Sequence, residues 1–176
     1  MTPLANTTNI ILGAGTLILQ AISLFLIVSI ITKDKGTVLV WFKEKSLLLA
    51  TVVLLGSAAA SLWYSEVIGY LPCLMCWYQR IAIYSAGIIG LIAILKKRGD
   101  EAWIYINTLS ILGFIIAVFH IFSRFTNSEI FDCAASGPSC LQELFKVYGF
   151  IDIPVMSFTA LLFVLLLNIN RKRLSK

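Results

Sequence analysis

Four cysteines form two close pairs in this sequence, and cysteines at short spacing either exchange disulfides or bind a metal. Cys73 and Cys76 make a Cys-x-x-Cys motif, while Cys133 and Cys140 have six residues between them. A zinc site would use both pairs, but the second interval is longer than the usual short zinc knuckle. His120 is the only histidine. The residues therefore favour redox chemistry over structural zinc.

Two structural disulfides are the other possible use of these cysteines. A disulfide stabilises a protein mainly by restricting the unfolded chain, and the gain grows with the length of the closed loop. Both loops are short here. The spacing favours exchangeable dithiols over structural crosslinks, although four cysteines still allow three connectivities.

Arg80 and His120 are the polar side chains best placed to support thiol chemistry. The Cys-x-x-Cys motif starts an apolar segment, and the amides and dipole of a helix N-terminus favour a thiolate. Arg80 follows Cys76 by four residues, so the two share a helix face and the guanidinium can stabilise negative charge. Alternatively, Arg80 reaches lipid head groups as an interfacial arginine. His120 can shuttle a proton or bind a polar ligand, or be a simple hydrogen-bonded polar residue.

The composition places these residues in a membrane. The chain has 176 residues, of which 59% are hydrophobic and 13% charged, and its mean hydropathy is +0.92. An ordinary soluble domain is about 45–50% apolar and about 25% charged. So much apolar surface cannot be buried in so small a soluble body, and disorder, a collagen-like fibre and a small secreted disulfide scaffold are also excluded. We predict an all-α integral membrane protein.

Five apolar segments reach or approach the roughly 20 residues that a membrane-spanning helix needs. They are residues 9–31, 47–63, 77–95, 102–122 and 154–168. Their pattern is not that of barrel strands, and helices satisfy their own backbone groups in lipid. The first segment follows no basic residue, is too long for a signal-peptide core and lacks a clear cleavage site, so we predict a retained helix.

The basic residues are unevenly distributed between the two sides of this arrangement. Eleven fall on one side, namely Lys33, Lys35, Lys43, Lys45, Lys96, Lys97, Arg98, Arg171, Lys172, Arg173 and Lys176. Three fall on the other, namely Arg80, Arg124 and Lys146. The positive-inside rule predicts an outward N-terminus, a cytoplasmic C-terminus and all four cysteines on the outer face, where disulfides persist. The net charge of +5 then records topology, and no nucleic-acid partner is expected.

Two further patterns concern packing. An apolar stripe at helical spacing predicts a short helix on the outer membrane surface, with a small folded cap as the alternative; its residues are Leu141, Leu144, Phe145 and Tyr148. Small residues four apart in the second and third spans predict close helix packing. They are Gly56 and Ala60, Ser57 and Ser61, and Ala82, Ala86 and Gly90.

Residues 72–80, which read Pro-Cys-x-x-Cys-x-Tyr-Gln-Arg, resemble the DsbB family of disulfide-generating membrane oxidoreductases. The short interval between Cys133 and Cys140 is similar to that of BdbC-type members, and residues 149–154 also fit the family. The resemblance covers about residues 47–168. The extra first span and the short second interval depart from the best-known members.

The resemblance implies a four-helix transmembrane bundle plus one extra N-terminal transmembrane helix. Residues 1–46 would form the extra helix, at about 9–31, and a cytoplasmic loop. Residues 47–170 would form the redox bundle and residues 171–176 a basic cytoplasmic tail. Each outward loop would carry one disulfide, Cys73–Cys76 and Cys133–Cys140.

The family also implies a reaction in which all four cysteines are catalytic. The second pair would exchange with a DsbA-like thioredoxin-fold partner, and the first would pass the electrons to a quinone of the membrane pool, ubiquinone or menaquinone. Arg80 matches the family arginine that supports quinone chemistry, and His120 matches a family histidine, so both are candidate cofactor-binding residues. No metal is expected. The protein would lie among the lipids of the cell inner (cytoplasmic) membrane.

Two alternatives have different signatures. A vitamin K epoxide reductase-like protein also combines a helical bundle with a redox dithiol, but that family places its loop cysteines before the Cys-x-x-Cys of a late span. Here the motif comes first. A non-catalytic scaffold with structural disulfides would resist mild reduction, whereas a relay pair would exchange readily.

Overall fold

The structure is a computed structural model, and it describes residues 2–128 and 138–175. Within those ranges the chain forms six α-helices. They are α1 (Pro3–Ile31), α2 (Thr37–Glu44), α3 (Ser46–Glu66), α4 (Leu74–Lys96), α5 (Gly99–Thr126) and α6 (Ile153–Leu174). All of them except α2 are long and apolar enough to cross a membrane. The five predicted spans are therefore confirmed, and the protein is an all-α membrane protein.

The sequence predicts a loop at the position where the structure has the short helix α2. Leu39 on this helix is fully buried and packs into the main apolar core. Its carbonyl oxygen accepts a hydrogen bond from Asn170 Nδ2 of α6 at 3.2 Å. Eight residues are too few to show a clear helical period, so tertiary packing rather than pattern fixes this helix.

Helices α3 to α6 form a bundle in which each helix packs beside the next, α3 also packs on α6, and α1 packs on α6. A Cβ atom at Gly113 of α5 would lie only 2.9 Å from Ala82 Cβ of α4, and one at Gly90 of α4 would collide with Thr51 of α3. The predicted close packing is thus confirmed for α4. It is wrong for Gly56 on α3, where a Cβ atom would have no neighbour within 4 Å.

Polar side chains hold α1 against the bundle. Tyr64 OH of α3 donates to Asn9 Oδ1 at 3.0 Å, and both residues are buried. About three helical turns further along α1, Gln20 Nε2 donates to Thr159 Oγ1 of α6 at 3.1 Å. Buried polar groups in an apolar environment favour the arrangement that pairs them, so these bonds fix where α1 lies.

The basic C-terminal residues continue α6 instead of forming a separate tail. Arg173 donates to the carbonyl oxygens of Ser29 at 2.6 Å and Asp34 at 2.7 Å. Arg171 Nη1 donates to Asp100 Oδ1 of α5, also at 2.6 Å. Residues that the sequence assigned to the tail therefore tie α6 to α1 and α5 at this end of the bundle.

Residues 138–152 form a compact cap over the other end, and the predicted surface helix is wrong. Phe145 is 5% exposed and stacks on Tyr64 and Tyr70, with ring centroids 5.5 and 6.0 Å away. Tyr148 and Gly149 both have positive φ, at 52° and 82°, which an α-helix cannot contain. The alternative prediction of a small folded cap is confirmed.

Candidate functional site

The first cysteine pair lies at the N-terminus of α4. Cys73 is the N-cap residue, and its Sγ accepts a hydrogen bond from the Cys76 amide at 3.4 Å. The two Sγ atoms are 2.8 Å apart and both cysteines are free thiols, so the Cys73–Cys76 disulfide is not formed in this structure. The sulfurs lie side by side on one helical turn, as a pair that forms a disulfide would, and the disulfide stays a prediction.

Cys73 is the member of the pair that is set up as a thiolate. The hydrogen bond from the Cys76 thiol lowers the pKa of Cys73 well below its usual value, and His120 lowers it further, while burial opposes both effects. His120 Nε2 lies 3.9 Å from Cys73 Sγ. A low thiol pKa makes a cysteine both an available nucleophile and a good leaving group in disulfide exchange.

Both ring nitrogens of His120 are held by hydrogen bonds. Nε2 lies 3.1 Å from the carbonyl oxygen of Cys140, and since a carbonyl only accepts, Nε2 carries the proton. Nδ1 then accepts from Gln79 Nε2 at 3.4 Å. Ser157 Oγ donates to Gln79 Oε1 at 2.5 Å and so orients that amide. The chain of bonds fixes the tautomer in which the N–H group faces the Cys73 sulfur.

Cys140 represents the second pair, because Cys133 lies outside the described residues. Cys140 is 3% exposed and disulfide-bonded. Its Sγ, the Sγ of Cys73 and a ring nitrogen of His120 all lie within 4.8 Å of one another. A disulfide sulfur is not a thiolate ligand, so in this form the group is a meeting point of the two cysteine pairs instead of a metal site. The Cys133–Cys140 pairing stays a prediction.

An ion-pair cluster, comprising Arg124, Glu143 and Asp152, holds the cap against the bundle. Arg124 of α5 contacts Asp152 Oδ2 at 2.5 Å and Glu143 Oε1 at 3.0 Å. Asp152 Oδ1 also accepts from the Val155 amide at 3.0 Å and thereby caps α6. A hydrogen bond from Lys146, followed by the charge of Arg124, lowers the pKa of Glu143. From the sequence, Arg124 is only one of the few basic residues expected on the outer side. In the structure its side chain links α5 to the cap and to the start of α6.

Two cavities meet at Cys76. The smaller has a volume of about 30 Å³, lies beside Cys73, His120 and Cys140, and has room for about one water molecule. The larger has a volume of about 300 Å³ and lies between α1, α3, α4 and α6. Cys76 lines both of them.

Arg80 brings a positive charge to the larger cavity. It is 9% exposed, and its Nε and Nη2 donate to the hydroxyl and carbonyl oxygens of Ser61 at 2.8 and 2.9 Å. The guanidinium carbon lies 5.1 Å from the centre of the Trp77 ring. No carboxylate in the described part of the chain pairs with Arg80. A buried charge without an anionic partner suits a ligand that carries or develops negative charge.

The predicted site residues thus fall into two groups around Cys76. Arg80 faces the larger cavity, whereas His120 lies with Cys73 and Cys140 on the smaller one. His120 therefore contacts the Cys73 thiol and the Cys140 carbonyl oxygen, and it is absent from the described lining of the larger cavity.

Sequence reasoning missed the residues that position this site, which are Ser61, Gln79 and Ser157. Ser61 appeared only as part of a small-residue pattern, although a polar residue inside an apolar span is itself a signal of function. Gln79 carries no signal in the sequence beyond its place in the family motif. Ser157 is near Gln79 only in three dimensions, because 78 residues separate them.

Comparison with known proteins is consistent with this geometry. A family model described as "Disulfide bond formation protein DsbB" matches residues 43–169. The chain belongs to the DsbB family. Membership in this family of membrane disulfide oxidoreductases confirms the resemblance and disfavours the vitamin K epoxide reductase-like alternative. No solved structure matches the chain significantly.

Several DsbB-family relatives cover most of the bundle. The SPbeta prophage-derived disulfide bond formation protein B of Bacillus subtilis is 39% identical over 117 residues, which is 66% of this chain and 77% of the relative. The disulfide bond formation protein C of the same organism is 30% identical over 128 residues, covering 71% and 88%. A probable disulfide formation protein of Chlamydia caviae is 31% identical over 137 residues, covering 76% and 98%. The family match begins after α1.

Proposed function

We propose that this protein oxidises the dithiol of an extracytoplasmic DsbA-like thioredoxin-fold partner and transfers the electrons to a membrane quinone. The position of Cys76 carries the proposal. On one side it lies against Cys73, near Cys140, and on the other it faces an apolar cavity that contains Arg80. A thiol relay that ends at a lipid-soluble acceptor requires a cysteine in this place.

The first steps are thiol–disulfide exchanges. A partner thiolate attacks Cys133 of the Cys133–Cys140 disulfide, forms a mixed disulfide and releases Cys140 as a thiolate. Cys140 then attacks Cys73 of the Cys73–Cys76 disulfide and releases Cys76 as a thiolate. Cys73 is the supported target because its sulfur lies within 4.8 Å of that of Cys140.

Two more exchanges return the second pair to its oxidised form. The second thiolate of the partner attacks its own mixed disulfide and releases the oxidised partner and the Cys133 thiolate. Cys133 attacks Cys140 of the Cys73–Cys140 disulfide and releases Cys73. The lowered pKa of Cys73 favours its departure. The net change is one disulfide in the partner and one dithiol at Cys73 and Cys76.

The larger cavity fits a quinone ring. Its volume of about 300 Å³ is at the lower end of the range of ligand pockets, and its walls are mostly apolar. Cys76 and Arg80 would hold the ring at the polar end, where Arg80 offsets negative charge. A bound quinone would supply the oxidant, with a capacity for the two electrons and two protons released when the Cys73–Cys76 disulfide forms again.

We also infer the location of the protein from its charges. The Arg171, Arg173 and Asp100 contacts lie at the end of the bundle rich in lysine and arginine, which we assign to the cytoplasm. The cysteines lie at the other end, which would face the outside of the inner membrane and meet the partner there.

Reconstitution tests this function. Full-length protein in nanodiscs should reduce ubiquinone-1 or menadione when it is supplied with reduced DsbA, and Cys73→Ser and Cys76→Ser should each abolish turnover. In Cys76→Ser/Cys133→Ser, the remaining Cys73 and Cys140 should form a disulfide that alkylation and mass spectrometry detect. The matched variant Cys73→Ser/Cys133→Ser should form much less. Full turnover in either single variant would refute the relay.

A further inference from the structure

Helix α1 forms one wall of the larger cavity, which is partly open to its surroundings. Its contributions come from Leu12, Gly15, Thr16 and Leu19, on two successive turns of the same face. The other walls come from α3, α4 and α6, which all belong to the four-helix bundle. Without α1, the cavity would open sideways between α3 and α6 to the surrounding lipid.

This wall is an addition to the family's bundle. The DsbB match begins at residue 43, beyond the end of α1 at Ile31. One relative is matched over 98% of its length by only 76% of this chain, so nearly a quarter of this chain has no counterpart in that protein. The site of this chain therefore contains a structural part that the family match does not include.

Two hydrogen bonds fix the position of α1 at this wall. The bond from Tyr64 to Asn9 lies on one side of Leu12, and the bond from Gln20 to Thr159 lies directly after Leu19. Tyr64 itself lines the cavity. The anchors therefore bracket the residues that form the wall.

Gly15 leaves room in the cavity. A Cβ atom built at Gly15 would meet nothing within 4 Å, and the same is true of Gly56 on the α3 wall. By contrast, Gly13 does not line the cavity, and a Cβ atom built there would lie 2.8 Å from Val147 Cγ2. Gly13 serves packing against the cap, whereas the space beside Gly15 is empty volume available to a ligand.

We infer that α1 is part of the quinone site: it covers one side of the cavity, and the missing side chain at Gly15 sets the space for the quinone ring. The inference rests on the proposed function. Enclosure replaces mobile lipid chains by fixed walls and excludes water from Arg80, which strengthens the interaction of its charge with the ligand. α1 thereby determines which ring sizes fit.

Equilibrium binding provides the first test. Gly15→Leu should raise the dissociation constant of ubiquinone-1 about tenfold, which corresponds to about 1.4 kcal/mol. Ala21→Leu is the matched control, because Ala21 and Gly15 are both exposed positions of the same helix but only Gly15 lines the cavity. Both changes raise helix propensity or leave it nearly unchanged, so unfolding of α1 is not the expected cause of an effect.

Photolabelling of the unaltered protein provides the second test and does not depend on how a variant folds. A photoreactive azidoquinone should label peptides from residues 9–31 as well as α3 and α4, and excess ubiquinone-1 should suppress the label. Label confined to α3, α4 and α6, or equal binding by Gly15→Leu and Ala21→Leu, would overturn the inference.

The two proposals fail in different ways. If the wild-type protein neither binds nor reduces a quinone, the proposed function is wrong. If it does both and Gly56→Leu weakens binding while Gly15→Leu does not, the function stands and α1 is only a packing helix.

Discussion

Arg80 and Ser61 show how a single buried charge is held within a membrane span by neutral partners. Ser61 accepts two hydrogen bonds from the guanidinium, and Trp77 lies near its face. These neutral partners fix the direction of the charge without cancelling it. A carboxylate in the same place would hold the arginine equally well but would leave less positive potential in the cavity.

Removal of this charge should weaken quinone binding. We expect Arg80→Ala to raise the dissociation constant and the apparent KM for ubiquinone-1 about tenfold, equivalent to about 1.4 kcal/mol. Arg80→Lys should recover part of this loss, because a lysine keeps the charge but not the forked contact with Ser61. Arg98→Ala, at an exposed arginine paired with Glu101, is the control. Unchanged binding in Arg80→Ala would make Arg80 an interfacial anchor.

The thiolate of Cys73 gives the reaction a pH dependence. A thiol with a lowered pKa is ionised at pH values where an ordinary cysteine, with a pKa of about 8.5, is protonated. In the reduced protein, Cys73 should therefore react with iodoacetamide at pH 6, and the rate should fall only when the pH drops through the lowered pKa. Cys76→Ala should shift this profile to higher pH most, and His120→Ala should shift it less.

Mass spectrometry of Cys73 peptides after timed alkylation measures these profiles directly. His120→Gln serves as the control, because its amide can still donate a hydrogen bond. A profile for wild-type Cys73 centred near that of a free cysteine would contradict the thiolate assignment.

At the scale of elements, the ion-pair cluster defined above positions the cap and hence Cys140. Arg124 and Asp152 are both largely buried, with side chains 10% and 13% exposed, whereas Glu143 is half exposed. A partly buried, hydrogen-bonded pair contributes more than an exposed one, and its loss leaves a charge without a partner. The cap should therefore depend mainly on the Arg124–Asp152 contact.

Arg124→Ala should loosen the cap while the quinone cavity stays intact. We expect faster amide exchange in residues 138–152, slower thiol exchange with the partner and an unchanged dissociation constant for ubiquinone-1. Asp152→Asn should reproduce much of this effect, because it removes the charge but keeps the N-cap of α6. Asp152→Ala should lower the free energy of unfolding by about 1 kcal/mol more, since the N-cap is also lost. Glu101→Ala removes an exposed pair and is the control. Unchanged exchange in Arg124→Ala would show that apolar packing alone holds the cap.

At the scale of the whole molecule, the features that the sequence predicts correctly are those carried by long continuous segments of the chain. Apolar length predicts the five spans, and the position of Cys73 and Cys76 at the start of the third apolar segment predicts a dithiol at a helix N-terminus. The surface helix predicted from Leu141, Leu144, Phe145 and Tyr148 is wrong, and the alternative of a folded cap is right, because a stripe over so few residues does not establish a helical period. Stacking of Phe145 on Tyr64 and Tyr70 outweighs that local pattern.

The cavity itself could not be predicted from the sequence. Small residues let helices approach closely at Gly90 but leave a void at Gly15 and Gly56, and the same residue type serves both purposes. Which outcome occurs depends on the residue that faces the glycine from another helix. The basic residues show a similar limit, because Arg173 contacts backbone carbonyl oxygens of α1 and the adjoining loop in addition to any contribution to orientation.

Cys76 and Ile153 are the two described residues that line both cavities. In the proposed reaction, this thin wall keeps the two reactants physically apart, so the protein partner never touches the membrane acceptor. Ile153 is inert, and Cys76 passes electrons only when Cys73 has been attacked by a thiol that fits beneath the cap. Under the proposed function, this wall would keep small soluble thiols away from the quinone, so that oxidation would proceed only through the Cys73–Cys76 disulfide.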